Sequence, residues 1–159
     1  MTGVVGIDDH DLAILAVLQD DSDISVAHVA EQVNLSQNAC WRRIKRLEED
    51  GYIRKRVALL DASKLGAGVT VFVTLRALEH TDGWLRALVA AIDPMPEVLE
   101  LYRLSGDRDY LLKVQVADIP AYDRLYKRLT RAVRLADVSS SFAMEKLKHT
   151  TAIPLPGRD

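Results

Sequence analysis

The sequence predicts an α+β chain in two parts: three helices at the N-terminal side, then a βαββαβ half. Three observations predict it. One helix-starting device occurs three times before residue 50. The hydrophobic period changes from helical to strand-like near residue 67. The second half then alternates strand and helix in the order β-α-β-β-α-β.

The repeated device is an apolar residue, a capping residue, three others, then an apolar residue. It reads Ile7-Asp8 to Leu12, Ile24-Ser25 to Val29 and Leu35-Ser36 to Cys40. Asp or Ser at an N-cap accepts a hydrogen bond from a backbone N–H that the helix leaves unpaired, and the flanking apolar pair closes a hydrophobic staple. Helices are therefore expected to start near residues 8, 25 and 36. Their expected buried faces are Leu12, Leu15 and Leu18, then Val29, Ala30 and Val33, then Cys40, Ile44 and Leu47. Only Asn34 and Leu35 separate Val33 from the cap at Ser36, and Asn tolerates the left-handed backbone of so short a turn. A helix-turn-helix follows, with Gly51 closing the third helix. Tyr52-Ile53 and Val57 to Leu60 read as extended, a short wing and connector strand.

In the second half, 69–78, 98–104, 110–116 and 140–147 read as strands. Trp84, Leu85, Leu88, Val89 and Ile92 line one helix. Tyr122, Leu125, Tyr126, Leu129 and Val133 line another, with Asp118 as cap and Pro120 in the first turn. This is a split βαβ, ferredoxin-like unit with both helices on one sheet face. Alternation along the strands is imperfect, with Val69, Val71, Val73 and Leu75 on one side and Phe72 on the other, so the second face is expected to be covered by another subunit in a homodimer. The expected organisation is 1–58 for the helix-turn-helix with its connector, 59–66 for a hinge, 67–155 for the βαββαβ domain and 156–159 for a tail.

The chain of 159 residues is 48% hydrophobic and 28% charged, as folded proteins are. No apolar run approaches a membrane span and the first residues lack a secretory pattern, so no membrane partner is expected. The single cysteine allows no internal disulfide and points to a reducing cytoplasm. Residues 1–41 hold seven acids and no Lys or Arg, whereas 42–56 hold seven bases against three acids, a net of +4 on a chain whose overall charge is −2. Such a focused patch suggests local contact with an anion.

The patch falls on the third helix, the one that enters the major groove of double-stranded DNA in helix-turn-helix proteins. With Cys40, Ile44 and Leu47 inward, the residues left outward include Gln37, Asn38, Trp41, Arg42 and Lys45, and Ser36 caps the end nearest the bases. Gln37 and Asn38 suit adenine and Arg42 suits guanine, each good pair discriminating by ~1–3 kcal/mol. Arg43, Lys45 and Arg46 suit phosphates, and Arg54 and Lys55 extend that grip. The competing reading is a solvated helix in which Arg42, Lys45 and Arg46 pair with Glu48, Glu49 and Asp50. Trp41 stacks on the nucleic-acid backbone or packs on a neighbouring helix, with packing favoured because large exposed aromatics are disfavoured.

These stretches resemble the Lrp/AsnC family of leucine- and asparagine-responsive transcription regulators. The resemblance rests on Leu35-Ser36, Arg43-Ile44, Leu47-Glu48, Gly51-Tyr52-Ile53, Leu65-Gly66, the run from Ser105 to Leu112, the run from Ser139 to Lys148, Thr150-Thr151 and Ile153-Pro154-Leu155, nearly all of 7–155. Residues 38–41 and the SSSFAMEKLKHTT stretch look most like members that control amino-acid catabolism, including cysteine-desulfidase regulators. The resemblance implies a winged helix-turn-helix and an amino-acid-sensing βαββαβ domain, dimers that commonly assemble into octamers, and a nucleoid-associated regulator. It also implies a small amino-acid effector at the Gly-Asp loop: Ser105, Gly106, Asp107, Asp109 and Tyr110, with Ser139 and Ser141 as secondary candidates. Glycine brings backbone N–H groups close to a carboxylate, and Asp can meet an ammonium. The same GDRD stretch is also ordinary turn chemistry.

His10, His28, His80 and His149 lack metal-ligand spacing, and no phosphate-cradling or nucleophile-elbow motif occurs, so no cofactor, metal or enzymatic activity is expected. Asp107 and Asp109 are turn residues before they are paired carboxylates. Cys40 lies on the core stripe, which favours a buried thiol over a redox sensor.

Overall fold

A computed structural model describes residues 6–157. The chain divides into two compact units, residues 6–59 with 147–157, and residues 60–146. The sequence assigned 147–155 to the second domain. In the structure these residues join the helical unit, where Gln19 forms a reciprocal pair with Ile153: its Nε2 donates to the Ile153 carbonyl at 3.2 Å and its Oε1 accepts the Ile153 N–H at 3.0 Å. Residues 158–159 of the expected tail, and 1–5 of the expected first domain, lie outside the described residues.

The helical unit holds α1 (Asp9–Asp20), α2 (Val26–Gln32) and α3 (Gln37–Glu49), capped by Asp8, Ser25 and Ser36. At α1 the cap is reciprocal: Asp8 takes the N–H of Asp11 and Asp11 takes the N–H of Asp8. The core is Ile14, Leu18, Val29, Ala30, Val33, Cys40, Ile44 and Leu47, so the stripes expected for α2 and α3 are buried. The stripe on α1 differs. Asp11, Ile14 and Leu18 are buried there, while Leu12 and Leu15 are half-buried. The face toward the core includes a carboxylate that finds partners on α3, which an apolar count does not register.

Asn34 closes α2 in the left-handed region at φ 55°, with the Leu35 N–H reaching the Ala30 carbonyl and the Asn34 N–H the Glu31 carbonyl. This double bond pattern ends a helix abruptly and turns the chain straight into α3. Gly51, at φ 79°, takes the same left-handed backbone after α3, and its N–H reaches the Glu48 carbonyl. The expected connector strand does not form: residues 54–60 carry no strand, and Val57, Leu59 and Leu60 are exposed, because none of the described strands pairs with them.

The second unit runs β1 (Val69–Ala77), α4 (Asp82–Ile92), β2 (Val98–Arg103), β3 (Tyr110–Val116), α5 (Ile119–Ala132) and β4 (Leu135–Phe142). The sheet is ordered β2-β3-β1-β4 with every pair antiparallel. Trp84, Leu88 and Ile92 of α4 and Tyr122, Leu125 and Leu129 of α5 share one core with Val71, Val73, Leu75, Leu112 and Val114, so both helices lie on one face. Alternation along β1 and β3 is cleaner than the sequence suggested, since Val71, Val73 and Leu75 are buried and Phe72 and Arg76 are exposed. The outer face carries Phe72 beside Lys113 and Ser141, and Thr74 beside Leu111 and Ser139. Glu100 bridges Lys113 at 2.7 Å and the Tyr102 hydroxyl at 2.5 Å on the same face, and the lysine holds its carboxyl below the usual range.

The last strand lies earlier than the sequence indicated, 135–142 rather than 140–147. Its start, Leu-Ala-Asp-Val, carries Ala and Asp, which are depleted in strands, so local preference does not mark it. Met144 and Leu147, which seemed to extend it, are 96% and 86% exposed. Among the described residues no helix is long and apolar enough to cross a membrane.

Candidate nucleic-acid interface and effector loop

Helix α3 separates its residues by face. Cys40, Ile44 and Leu47 are buried, and burial pushes the Cys40 thiol up, away from the reactive thiolate. Gln37, Asn38, Trp41, Arg42, Lys45 and Arg46 are exposed. Trp41 is 52% exposed, so the expected packing against a neighbouring helix does not occur. Ser36 is occupied as the cap, accepting the Ala39 N–H at 3.3 Å.

The cations of 42–56 fall into two groups. Arg43 reaches back to α1, meeting Asp8 at 2.8 Å and Asp11 at 2.8 Å, and Arg46 meets the other Asp11 oxygen at 2.5 Å. These two residues, expected on phosphates, are held by carboxylates. Asp8 is lowered first by the Asp11 N–H and then by Arg43, and Arg43 is raised by Asp11 and then Asp8. Lys45 pairs with Glu48 at 2.8 Å and Arg56 with Glu48 at 3.1 Å, so one of the expected pairs along the helix forms. Within the described residues of this segment, Arg42, Arg54 and Lys55 are exposed and make no ion pair. The pairing with α1 had a sequence signal: two acids at the cap and N3 of α1 against a cation-rich α3.

In the other unit, Gly106 adopts φ 132° at the tip of the β2–β3 loop, and Ser105, Gly106 and Asp107 are exposed. Asp109 does not join them. Its carboxylate accepts the Ala77 N–H at 2.7 Å and meets His80 Nε2 at 2.9 Å, and its own N–H donates to the Leu75 carbonyl. The Ala77 N–H, then His80, holds its carboxyl below the usual range. Tyr110 is buried beside Trp84, ring centres 5.4 Å apart. Asp109 and Tyr110, both expected at the effector, fasten the loop to the sheet. Arg108 pairs with Asp137, an interaction the sequence did not disclose. Ser139 and Ser141 are exposed on the outer sheet face.

Residues 7–54 match a winged helix-turn-helix DNA-binding model, and residues 70–153 match the Lrp/AsnC ligand-binding domain. The chain belongs to the Lrp/AsnC family. It is a DNA-binding transcriptional regulator of that family. It is 54% identical over 150 residues to the glutamate uptake regulatory protein of Zymomonas mobilis subsp. mobilis, covering 94% of this chain and 92% of that one. It is 47% identical to the DNA-binding transcriptional activator DecR of Escherichia coli, covering 94% and 99%. A transcriptional regulator of Neisseria meningitidis, solved as its complex with L-Met, superposes with a TM-score of 0.88 at 31% identity, covering 94% and 97%. The Lrp/AsnC assignment thus spans both halves of the chain.

Proposed function

We propose that this Lrp/AsnC member is a sequence-specific regulator whose helical unit reads double-stranded DNA and whose βαββαβ unit takes a small amino-acid effector. The observation that carries the reading is the division of α3: one face sealed in the core, the other presenting Gln37, Asn38 and Arg42 outward, exposed. Gln37, Asn38 and Arg42 are assigned to base edges. Arg54, Lys55 and Lys45 are assigned to phosphates, Lys45 after release from Glu48, and Trp41 to the sugar-phosphate surface. Arg43 and Arg46 are not assigned to phosphate.

The effector site is assigned to the exposed Ser105, Gly106 and Asp107, with Ser139 and Ser141 as further contacts and with Asp109 and Tyr110 as supports. The bound methionine of the Neisseria regulator supports an amino acid as the effector class. The outer sheet face, where Phe72 and Tyr102 stay exposed, is assigned to a homodimer that assembles further to an octamer. The working compartment is the cytoplasm, at the nucleoid, and the protein acts by binding rather than by catalysis. The test is retardation of a DNA fragment from upstream of the protein's own gene, with and without cysteine, leucine, methionine and asparagine. Retardation that is steep in salt and altered by one amino acid supports the reading. Indifference to every fragment at low salt overturns it.

A further inference from the structure

Beneath the outward face of α3 lies a charge arrangement that DNA reading does not require. Asp11 is fully buried, yet it sits in a unit whose core is otherwise apolar. Its carboxylate is shared between Arg43 on one oxygen and Arg46 on the other, and Asp8 adds both of its own oxygens to Arg43. These arginines are not buried to match: their side chains are 28% and 46% exposed. A cleft of about 360 Å³ opens beside them, lined by Asp8, Ala39, Arg42, Arg43 and Arg46. Two cations therefore stand next to the DNA-facing Arg42, close enough to solvent to swing out, and are turned back by acids of another helix.

We infer that Asp11, with Asp8, is a specificity-determining residue: it withdraws Arg43 and Arg46 from the phosphate backbone and so limits binding to DNA of arbitrary sequence. The inference rests on the DNA-binding reading. Phosphate contacts raise affinity for every sequence alike, while base contacts distinguish sequences. Each added contact steepens the fall of log affinity with log salt by about 0.9. Holding two arginines on carboxylates leaves a larger share of the affinity to Gln37, Asn38 and Arg42. The same tie adds to the buried stripe of Cys40, Ile44 and Leu47 in holding α3, because Arg43 and Arg46 lie about one turn apart and are gripped by one side chain.

The experiment measures binding of the full-length protein to a random-sequence duplex and to an equally long duplex from upstream of its own gene, across a salt series. Asp11→Asn keeps the shape and removes the charge. It should tighten binding to the random duplex at low salt and steepen the salt slope by up to about 1.8 per engaged helical unit, an additional fall of roughly tenfold between 50 and 200 mM salt. The preference for the upstream duplex should shrink. Asp11→Glu should restore the wild-type slope, and adding Arg43→Gln and Arg46→Gln to Asp11→Asn should abolish the excess. If Asp11→Asn does not fold by circular dichroism, the half-exposed Asp8→Asn carries the test, with a gain of up to about 0.9 in slope. A folded variant that binds the random duplex no more tightly than wild type, with an unchanged slope, overturns the inference. A wild-type protein that binds neither duplex overturns the DNA-binding reading instead.

Discussion

Helix α3 and the loop between β2 and β3 were both read from sequence as binding surfaces, and the structure treats them differently. On α3 the residues expected to face out do face out, because Cys40, Ile44 and Leu47 recur at i, i+4 and i+7 and fix the helix by its buried side. In the loop, five residues from Ser105 to Tyr110 were expected to converge on a ligand. Three stay exposed, while Asp109 and Tyr110 turn into the sheet and core. A periodic element announces its orientation through the spacing of its apolar residues. A loop has no period, so the sequence could not say which of two aspartates, Asp107 or Asp109, would find a backbone N–H.

The comparison breaks most visibly on the buried side of α3. Ile44→Ala should cost about 2–5 kcal/mol of stability, read as a lower urea midpoint, because a fully packed aliphatic side chain leaves a cavity. Arg42→Ala should leave that midpoint unchanged and lower discrimination at one operator base by ~1–3 kcal/mol, read by competition with single-base variants of the site. Equal weakening on every sequence would remove Arg42 from base reading.

In the loop the expected effects are smaller and pH-dependent. The Ala77 N–H and His80 depress the Asp109 carboxyl in the folded state. Its contribution is therefore present above the unfolded value of about 3.9 and is lost as pH falls through the folded value. Asp109→Asn should lower the melting temperature at pH 7, and the two proteins should converge as the solution is acidified below about pH 4. A constant gap across that range would mean that the carboxylate charge is irrelevant there. The smallest structural effect belongs to Asp107→Asn, which should leave melting unchanged while weakening the thermal shift produced by the effector amino acid. Loss of melting temperature without loss of the shift would move Asp107 from ligand to loop support.

Much of the architecture was legible for the same reason that α3 was. The caps at Asp8, Ser25, Ser36 and Asp118, the left-handed Asn34 and the βαββαβ order all follow from local rules that act over four or five residues. What stayed hidden depended on partners far away in sequence. Nothing local marks Asp11 for burial, because the partners that enclose it, Arg43 and Arg46, come more than thirty residues later. The start of β4 was obscured because Leu135 to Val138 become a strand through pairing with β1, not through their own preferences.

The pairing of Gln19 with Ile153 bears on how the molecule is made. These residues are separated by 134 positions. During synthesis α1, α2 and α3 emerge first and can form from local contacts, yet the Ile153 backbone that completes the surface of α1 arrives only after the whole sheet has been translated. A ribosome-bound fragment ending after α3 should accordingly show native helix content and remain easier to cleave near Gln19 than the same residues in the released protein.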